Sequence, residues 1–321
     1  MDTRNRCIVI RQILILLISI VTAHNVCAQD PTYVHKYGNV LSAKSFLFND
    51  GFTFSNKSTG LNYIPDLHSG IGIGVWWKYF PFDVCYRQEI SPIGPDGEYH
   101  HVKTTDMQLR GYNRFFAGDI YIQNYNGFYE AIQNRYQIKQ PDLVDLPYNP
   151  DLSVFQFDMV GKYIFNNEEF SYKAGFTAGE RQKVSAGSAT AGAALYFLRI
   201  KSDSLLVKEQ STDLKSCNLG VNGGYAYNYV FGKHSTLFGS VMVGLNASTS
   251  IFHGWVSDKI SLSPVFHGKA AYWLNYDKWS FGITATYNLI HHTLDDAMTV
   301  YVHTRRTEIV VIRRFWLKKN G

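Results

Sequence analysis

Beyond its first 28 residues the sequence has no apolar run as long as the ~20 residues that a bilayer-spanning helix requires. Its mean hydropathy is only −0.16, which excludes a bundle of transmembrane helices. Charged residues are also scarce, at 18% against the usual quarter or so. Cysteine is scarcer still, with four in 321 residues. Cys7 and Cys27 fall in the leader, so Cys85 and Cys217 are left far apart, and no disulfide scaffold is implied. No segment after the leader keeps a 3.6-residue apolar period, and no catalytic motif stands out. Aromatics, by contrast, reach 15%, with 22 tyrosines and 21 phenylalanines.

The first 28 residues read as a secretory signal. Arg4, Arg6 and Arg11 supply the positive region, Ile13 to Val21 the short apolar core, and Val26-Cys27-Ala28 a small-residue cleavage pattern before Gln29. An N-terminal anchor is disfavoured by the short core, and a lipoprotein by the polar His24-Asn25 before Cys27. Removing three arginines and one aspartate lowers the net charge from +5 to about +3, too little to point to nucleic acid.

The remaining chain alternates with period two. In 70–79, Ile71, Ile73, Val75, Trp77 and Tyr79 oppose Gly70, Gly72, Gly74, Trp76 and Lys78; in 279–289, Trp279, Phe281, Ile283, Ala285, Tyr287 and Leu289 oppose small polar residues. Three features separate this pattern from a soluble sandwich. The strands run to about ten residues, enough to cross a bilayer when tilted. Aromatics gather near strand ends, as at Trp77, Tyr79 and Phe80, at Tyr227, Tyr229 and Phe231, and at Trp273, Tyr276 and Trp279. Tight connections (Phe80-Pro81, Arg114-Phe115, Asn166 to Glu168, Gly232-Lys233, Asp277-Lys278) alternate with long ones (56–67, 89–103, 126–151, 251–258, 290–303). The expected fold is all-β, a transmembrane antiparallel β-barrel over 41–317. Residues 29–40 form a periplasmic lead-in and 318–321 a tail. Thirteen strands can be counted, one of them over 169–177. Bacterial barrels have even numbers, so 12 is expected and 14 comes next, with the doubtful region placed at 200–215. The final strand alternates around Ile309, Val311 and Phe315, with Arg313 interrupting its face.

Three stretches, Asp106–Tyr129, Phe170–Ser188 and Gly223–Lys233, together resemble the bacterial outer-membrane barrels called "domain of unknown function 4421". The most specific piece is Glu-Arg-Gln-x-x-Ser-Ala-Gly-Ser at 180–188. The resemblance implies a barrel in the envelope and supplies no reaction.

Two groups of residues are candidates for chemistry. Glu180, Arg181, Gln182, Ser185 and Ser188 lie where one strand ends and the next begins, at the external side in this topology; they are either a lumen or surface site or a turn held by a Glu–Arg pair and hydroxyls. Lys78, Asp83, Arg87, Asp106, Arg110, Asp119, Asp158, Lys162 and Lys173 face inward with mixed sign, which suits paired charges filling a narrow lumen better than an ion-selective lining. His68-Ser69, His234-Ser235, His253, His267, His291-His292 and His303 offer material for a Ser–His enzyme, but no spacing singles out a triad. His100-His101 and His291-His292 are poor chelates, since neighbours on a strand point apart. Gly70-x-Gly72-x-Gly74 lacks the helix that a nucleotide loop needs. No metal or cofactor is expected. The expected partners are outer-membrane lipids and the barrel-assembly machinery, and the oligomeric state is open. Three functional classes follow: a structural or interaction barrel, a narrow solute channel, and a lipid-modifying hydrolase or acyltransferase, the enzyme being the least supported.

The barrel reading has a direct test. An unheated sample should migrate differently from a boiled one on a denaturing gel, and the protein should fractionate with the outer membrane; recovery as a soluble periplasmic protein would end it.

Overall fold

The computed structural model describes residues 29–57, 59–65, 68–77, 80–89, 103–132, 147–202, 212–252, 255–256, 259–295 and 298–317. In chain order the elements are β1 (Val34–His35), β2 (Val40–Asn56), β3 (Leu61–Ile64), β4 (His68–Trp77), β5 (Phe80–Glu89), β6 (Lys103–Tyr112), β7 (Phe116–Ile132), β8 (Tyr148–Ile164), α1 (Tyr172–Thr177), β9 (Arg181–Gln182), β10 (Ala186–Ser202), β11 (Thr212–Phe231), β12 (Ser235–Phe252), β13 (Trp255–Val256), β14 (Ser261–Asn275), β15 (Trp279–Asp295) and β16 (Met298–Trp316).

Twelve of these strands, β2, β4 to β8, β10 to β12 and β14 to β16, pair antiparallel in a ring. It closes where β16 meets β2, from Val300↔Asn56 to Trp316↔Val40. The even number demanded by parity is met. The ring is not uniform along its axis. β4, β5 and β6 have ten residues each, whereas the other nine run from 15 to 20. Above the short strands β3 pairs with β2 on one side and β7 on the other, so the circuit there passes through ten strands. The β5–β6 hairpin is thus wedged into one half of the wall. Its seam is thin: among the described residues only Phe82↔Gly111 and Asp83↔Arg110 join the two strands.

The faces are those of a membrane barrel. On β11, Val221 is 70% exposed on the outside while its neighbour Asn222 is 7% exposed inside. Leu219, Tyr225, Val241, Val243, Leu245 and Ile283 also point outward and stand exposed. Apolar-out, polar-in alternation is the reverse of a soluble β protein and is what lipid selects. Phe165, Tyr229, Phe231, Tyr276 and Phe315 crowd the outer surface at the end that carries the tight turns. Arg313 does not break its strand. It lies outward at that end, 4.7 Å over the Trp279 ring and 5.3 Å over Phe315, as a cation does at a membrane interface. Arg314 takes the inward position, 2% exposed.

One expected strand is absent. Residues 169–177 enter the barrel as a plug ending in α1, and 186–202 and 212–231 pair directly as β10 and β11. The surplus strand therefore lay at 169–177 and not at 200–215. Phe170, Tyr172, Ala174 and Phe176 alternate like a strand, yet all four are buried along with Gly175. A segment surrounded on every side has no polar face, so its period carries no information about its conformation. Ser171 caps the helix by accepting the Ala174 N–H at 3.0 Å, and Ala178 ends it in the left-handed region at φ 51°. The lead-in locks this plug. β1 pairs with β9, Gln29 donates to the Phe170 carbonyl at 3.1 Å, and Arg314 donates to the Ala178 carbonyl at 2.7 Å. Within the lead-in Thr32 donates its N–H and hydroxyl to Asp30, holding that carboxyl below its usual range.

Gly175 fixes how closely α1 approaches the wall, since a Cβ there would lie 2.2 Å from both Asn228 Oδ1 and the Phe238 ring. Gly175→Val should lower stability by about 1–3 kcal/mol, the cost of overpacking, read as a lower temperature for conversion of the folded to the unfolded gel band. An unchanged temperature would show that the plug is not packed against β11 and β12 as described.

Candidate functional site

The lumen is filled in layers. At the turn end Phe46, Phe48, Tyr112, Phe170, Tyr172, Phe176, Phe238 and Trp273 form one apolar cluster around the plug. At the other end Phe52, Phe54, Tyr63, Tyr125, Phe128, Leu152, Leu198 and Val302 form a second, at the level where the circuit contracts to ten strands. Phe54 stacks on Tyr63 and Phe52 on Tyr125, each at 4.5 Å between ring centres. Gly72 makes room for this inward crowding lower down: a Cβ there would lie 2.1 Å from the Phe46 ring.

Charged and polar side chains lie between the clusters. Arg306 grips Asp50, its partner in register across β16 and β2, with two bonds of 2.6 and 2.5 Å, and also contacts Asp106. Glu308 receives Lys44 at 3.2 Å and Arg110 at 3.3 Å. Asp119 receives Lys269 at 2.7 Å and the Tyr112 hydroxyl at 2.6 Å. Lys162 donates to the Tyr172 hydroxyl at 3.1 Å, tying the wall to the plug. Each fork or shared carboxylate offsets part of the cost of withdrawing these charges from water.

Of the nine charges expected inside, Asp106, Arg110, Asp119, Asp158 and Lys162 point into the lumen from strands, and Asp158 accepts from Gln156 at 2.5 Å. Lys173 reaches the lumen from α1 instead, with its ammonium 3.8 Å over the Trp76 ring. Lys78 and the side chains of Asp83 and Arg87 lie outside the described residues. The partners Lys44, Asp50, Lys269, Arg306 and Glu308 escape a reading strand by strand, although each alternates with outward residues and could have been found by that signal.

The cluster at 180–188 sits at the turn end, with the plug, and not on the opposite side. Deleting the surplus strand reverses the direction of this connection. Gln182 and Glu180 hold the plug, while Arg181, Ser185 and Ser188 bond to the turns and strand around it. Gln182 accepts the Ser171 N–H at 3.0 Å and donates to the carbonyls of Glu169 and Val184, and Asn228 donates to it from β11 at 3.0 Å. Glu180 accepts the Ser171 hydroxyl at 2.6 Å, while Arg181 pairs with Asp277, so the expected Glu–Arg pair does not form. Ser185 accepts the Val230 N–H and Ser188 the Asn166 N–H, both at 2.9 Å.

The histidines assemble no triad among the described residues. Tyr196 crosses the lumen to His267 Nε2 at 2.6 Å, and His267 Nδ1 meets Asn288 Oδ1 at 2.8 Å. The amide oxygen calls for a proton on Nδ1, which leaves Nε2 to accept from the tyrosine. His292 Nδ1 lies 3.4 Å from Ser216 Oγ, but that hydroxyl donates to Asn218 at 3.0 Å, so no base is positioned to activate it. His291 faces outward against Tyr301 while His292 is buried. The described residues hold no group of three or more His, Cys, Asp or Glu arranged for a metal.

Glu308→Ala should destabilise the barrel by about 3–5 kcal/mol by removing a buried carboxylate that two cations contact. Denaturant unfolding in lipid vesicles measures this, and a loss below about 1 kcal/mol would remove the network as a stabilising element.

No curated protein matches the sequence. Similar solved structures include the outer membrane protease OmpT from Escherichia coli (8% identity, covering 88% of this chain and 98% of that one, TM-score 0.37). They also include the translocator domain of the autotransporter NalP from Neisseria meningitidis (11%, 87% and 89%, 0.43) and the P. putida toluene transporter TodX (7%, 88% and 91%, 0.27). A family model matches residues 28–315, and the chain belongs to that family, described as Domain of unknown function (DUF4421).

Proposed function

We propose that the mature chain is a closed barrel of the Gram-negative outer membrane, with a structural or interaction role in the envelope that it performs through its outer surface and loops rather than by passing solutes. Export would follow cleavage near Ala28. The apolar band would contact outer-membrane lipids, and the barrel-assembly machinery would insert the chain.

The observation that carries this reading is the pair of apolar layers, one built around the plug and one at the ten-strand level, on either side of the polar interior. Burial of Phe170, Tyr172 and Phe176 contributes roughly 1.5–3 kcal/mol each. An expelled plug is then populated below about one part in a thousand, at about 1.4 kcal/mol per factor of ten. A narrow channel keeps one observation in its favour. Buried polar atoms of Gln156, Asp158, Asn222, Asn246 and His292 have no hydrogen-bond partner among the described residues, which suits enclosed water.

Planar-bilayer recording separates the two readings. The wild-type protein should give no steady single-channel current, and deletion of 172–177 alone should leave it closed, because the second layer is intact. Steady wild-type steps altered by charge changes at Arg110 or Asp119 would establish the channel and overturn the closed barrel.

A further inference from the structure

On β16 the outward row reads Arg313, Val311, Ile309, Thr307, Arg305, His303 and Tyr301. Two arginines bracket its apolar part, eight residues apart. That is about 27 Å of strand at about 3.4 Å per residue. At the usual tilt it becomes about 20 Å along the membrane normal, against an apolar band about 25 Å tall. Arg313 holds the turn-end interface over Trp279 and Phe315. Arg305 therefore marks the opposite interface, and register assembles a patch around it. It pairs with Tyr287 on β15 and with Gly51 on β2. Gly51 lets the side chain lie along the wall, since a Cβ there would come within 2.3 Å of its Nε and 2.7 Å of its Cγ. Beyond it His303 Nδ1 lies 2.9 Å from the Tyr287 hydroxyl, and His291 packs edge-on against Tyr301 at 4.2 Å between ring centres. Lys57, exposed at the end of β2, donates its N–H to the Thr299 carbonyl at 3.1 Å and so stands beside the end of β16. Turnward of the patch runs an unbroken apolar row: Ile283, Ile309, Leu47 and Ile71 are successive register partners on four strands, each about half exposed.

We propose that this patch binds the phosphorylated sugar headgroup of an outer-leaflet glycolipid, with Arg305 as its principal charge and Lys57, His303 and His291 as supporting donors. The acyl chains lie along the apolar row beneath. The inference rests on the outer-membrane reading above, with the tight turns in the periplasm, which puts Arg305 at the level of the outer-leaflet headgroups. A guanidinium presents a fork that matches two phosphate oxygens. The tyrosines suit the depth at which headgroup meets hydrocarbon. A free phosphate would use the same fork but would leave the apolar row unused, so the combination of the two favours a lipid. The site lies on the outer wall and is independent of whether the barrel conducts.

The test is thermal melting of the full mature chain folded in detergent micelles, titrated with bis-phosphorylated lipid A, with the same lipid freed of its phosphates, and with phosphatidylglycerol. The phosphorylated glycolipid should raise the wild-type melting temperature at lower concentration than either of the others. Arg305→Gln should weaken that apparent affinity about tenfold and Arg305→Lys by a smaller factor, while Arg313→Gln, at the other interface, should leave it unchanged. Arg305 lies on the outside and makes no ion pair among the described residues, so its Gln variant should keep the heat-modifiable gel band. Equal responses of wild type and Arg305→Gln, or loss in Arg313→Gln instead, overturn the site while the barrel stands. Equal stabilisation by the dephosphorylated lipid or by phosphatidylglycerol overturns the glycolipid as its occupant. Orientation is read separately, by labelling Lys57→Cys on intact cells with an impermeant maleimide. Labelling above the wild-type level is expected, and its absence would overturn the orientation on which the site rests.

Discussion

Inside a hydrocarbon layer no water reaches a backbone amide, so every N–H and C=O of a chain that crosses it must be paired within the protein. For strands this means closure, and closure here is the pairing of the first long strand with the last, β2 with β16, along the whole of β2. The rest of the architecture depends on that seam. Once the ring is shut, each strand has one lipid face and one lumen face, and alternation becomes obligatory rather than habitual. The wall tolerates a thin seam at β5–β6 because β3 bridges directly from β2 to β7 above it. Closure is thus kept at two levels by two different circuits.

Closure creates a second problem, which is what fills the inside. A ring of twelve strands encloses more space than its own side chains close at the turn end, and the chain returns 165–185 into that space. At the other end the ring narrows to ten, and facing aromatics such as Phe54 and Tyr63 meet without any plug. Between them the wall carries charge, and the geometry matches several cations with carboxylates through cross-strand register, as with Arg306 and Asp50, or through side chains reaching across, as with Lys269 and Asp119. Removing one partner of such a pair costs more than the pair contributes, because the survivor stays buried. The interior is therefore braced as well as filled.

The wall was legible in the sequence because a period of two is written locally. Ile71, Ile73 and Val75 announce an outward face without reference to any other strand, and the parity rule gave twelve. The interior was less legible. Asp50 and Arg306 lie 256 residues apart and meet only once the ring closes. The plug is not legible because its aromatics alternate like a strand's while being buried on every side. With 169–177 folded into the lumen, the 180–188 connection lies at the turn end. The histidines were legible as residues but not as partners: Tyr196, to which His267 bonds, comes from a strand three places away around the ring.

The segment that most specifically marks the resemblance to the family is Glu-Arg-Gln-x-x-Ser-Ala-Gly-Ser, and its Gln182 and Glu180 are engaged in holding the plug. Gln182 alone joins the start of α1, the strand that follows it and β11 through Asn228. A side chain saturated by such bonds has no lone pair or proton left for a substrate, so a specific motif at this place argues for a specific closure rather than a specific reaction.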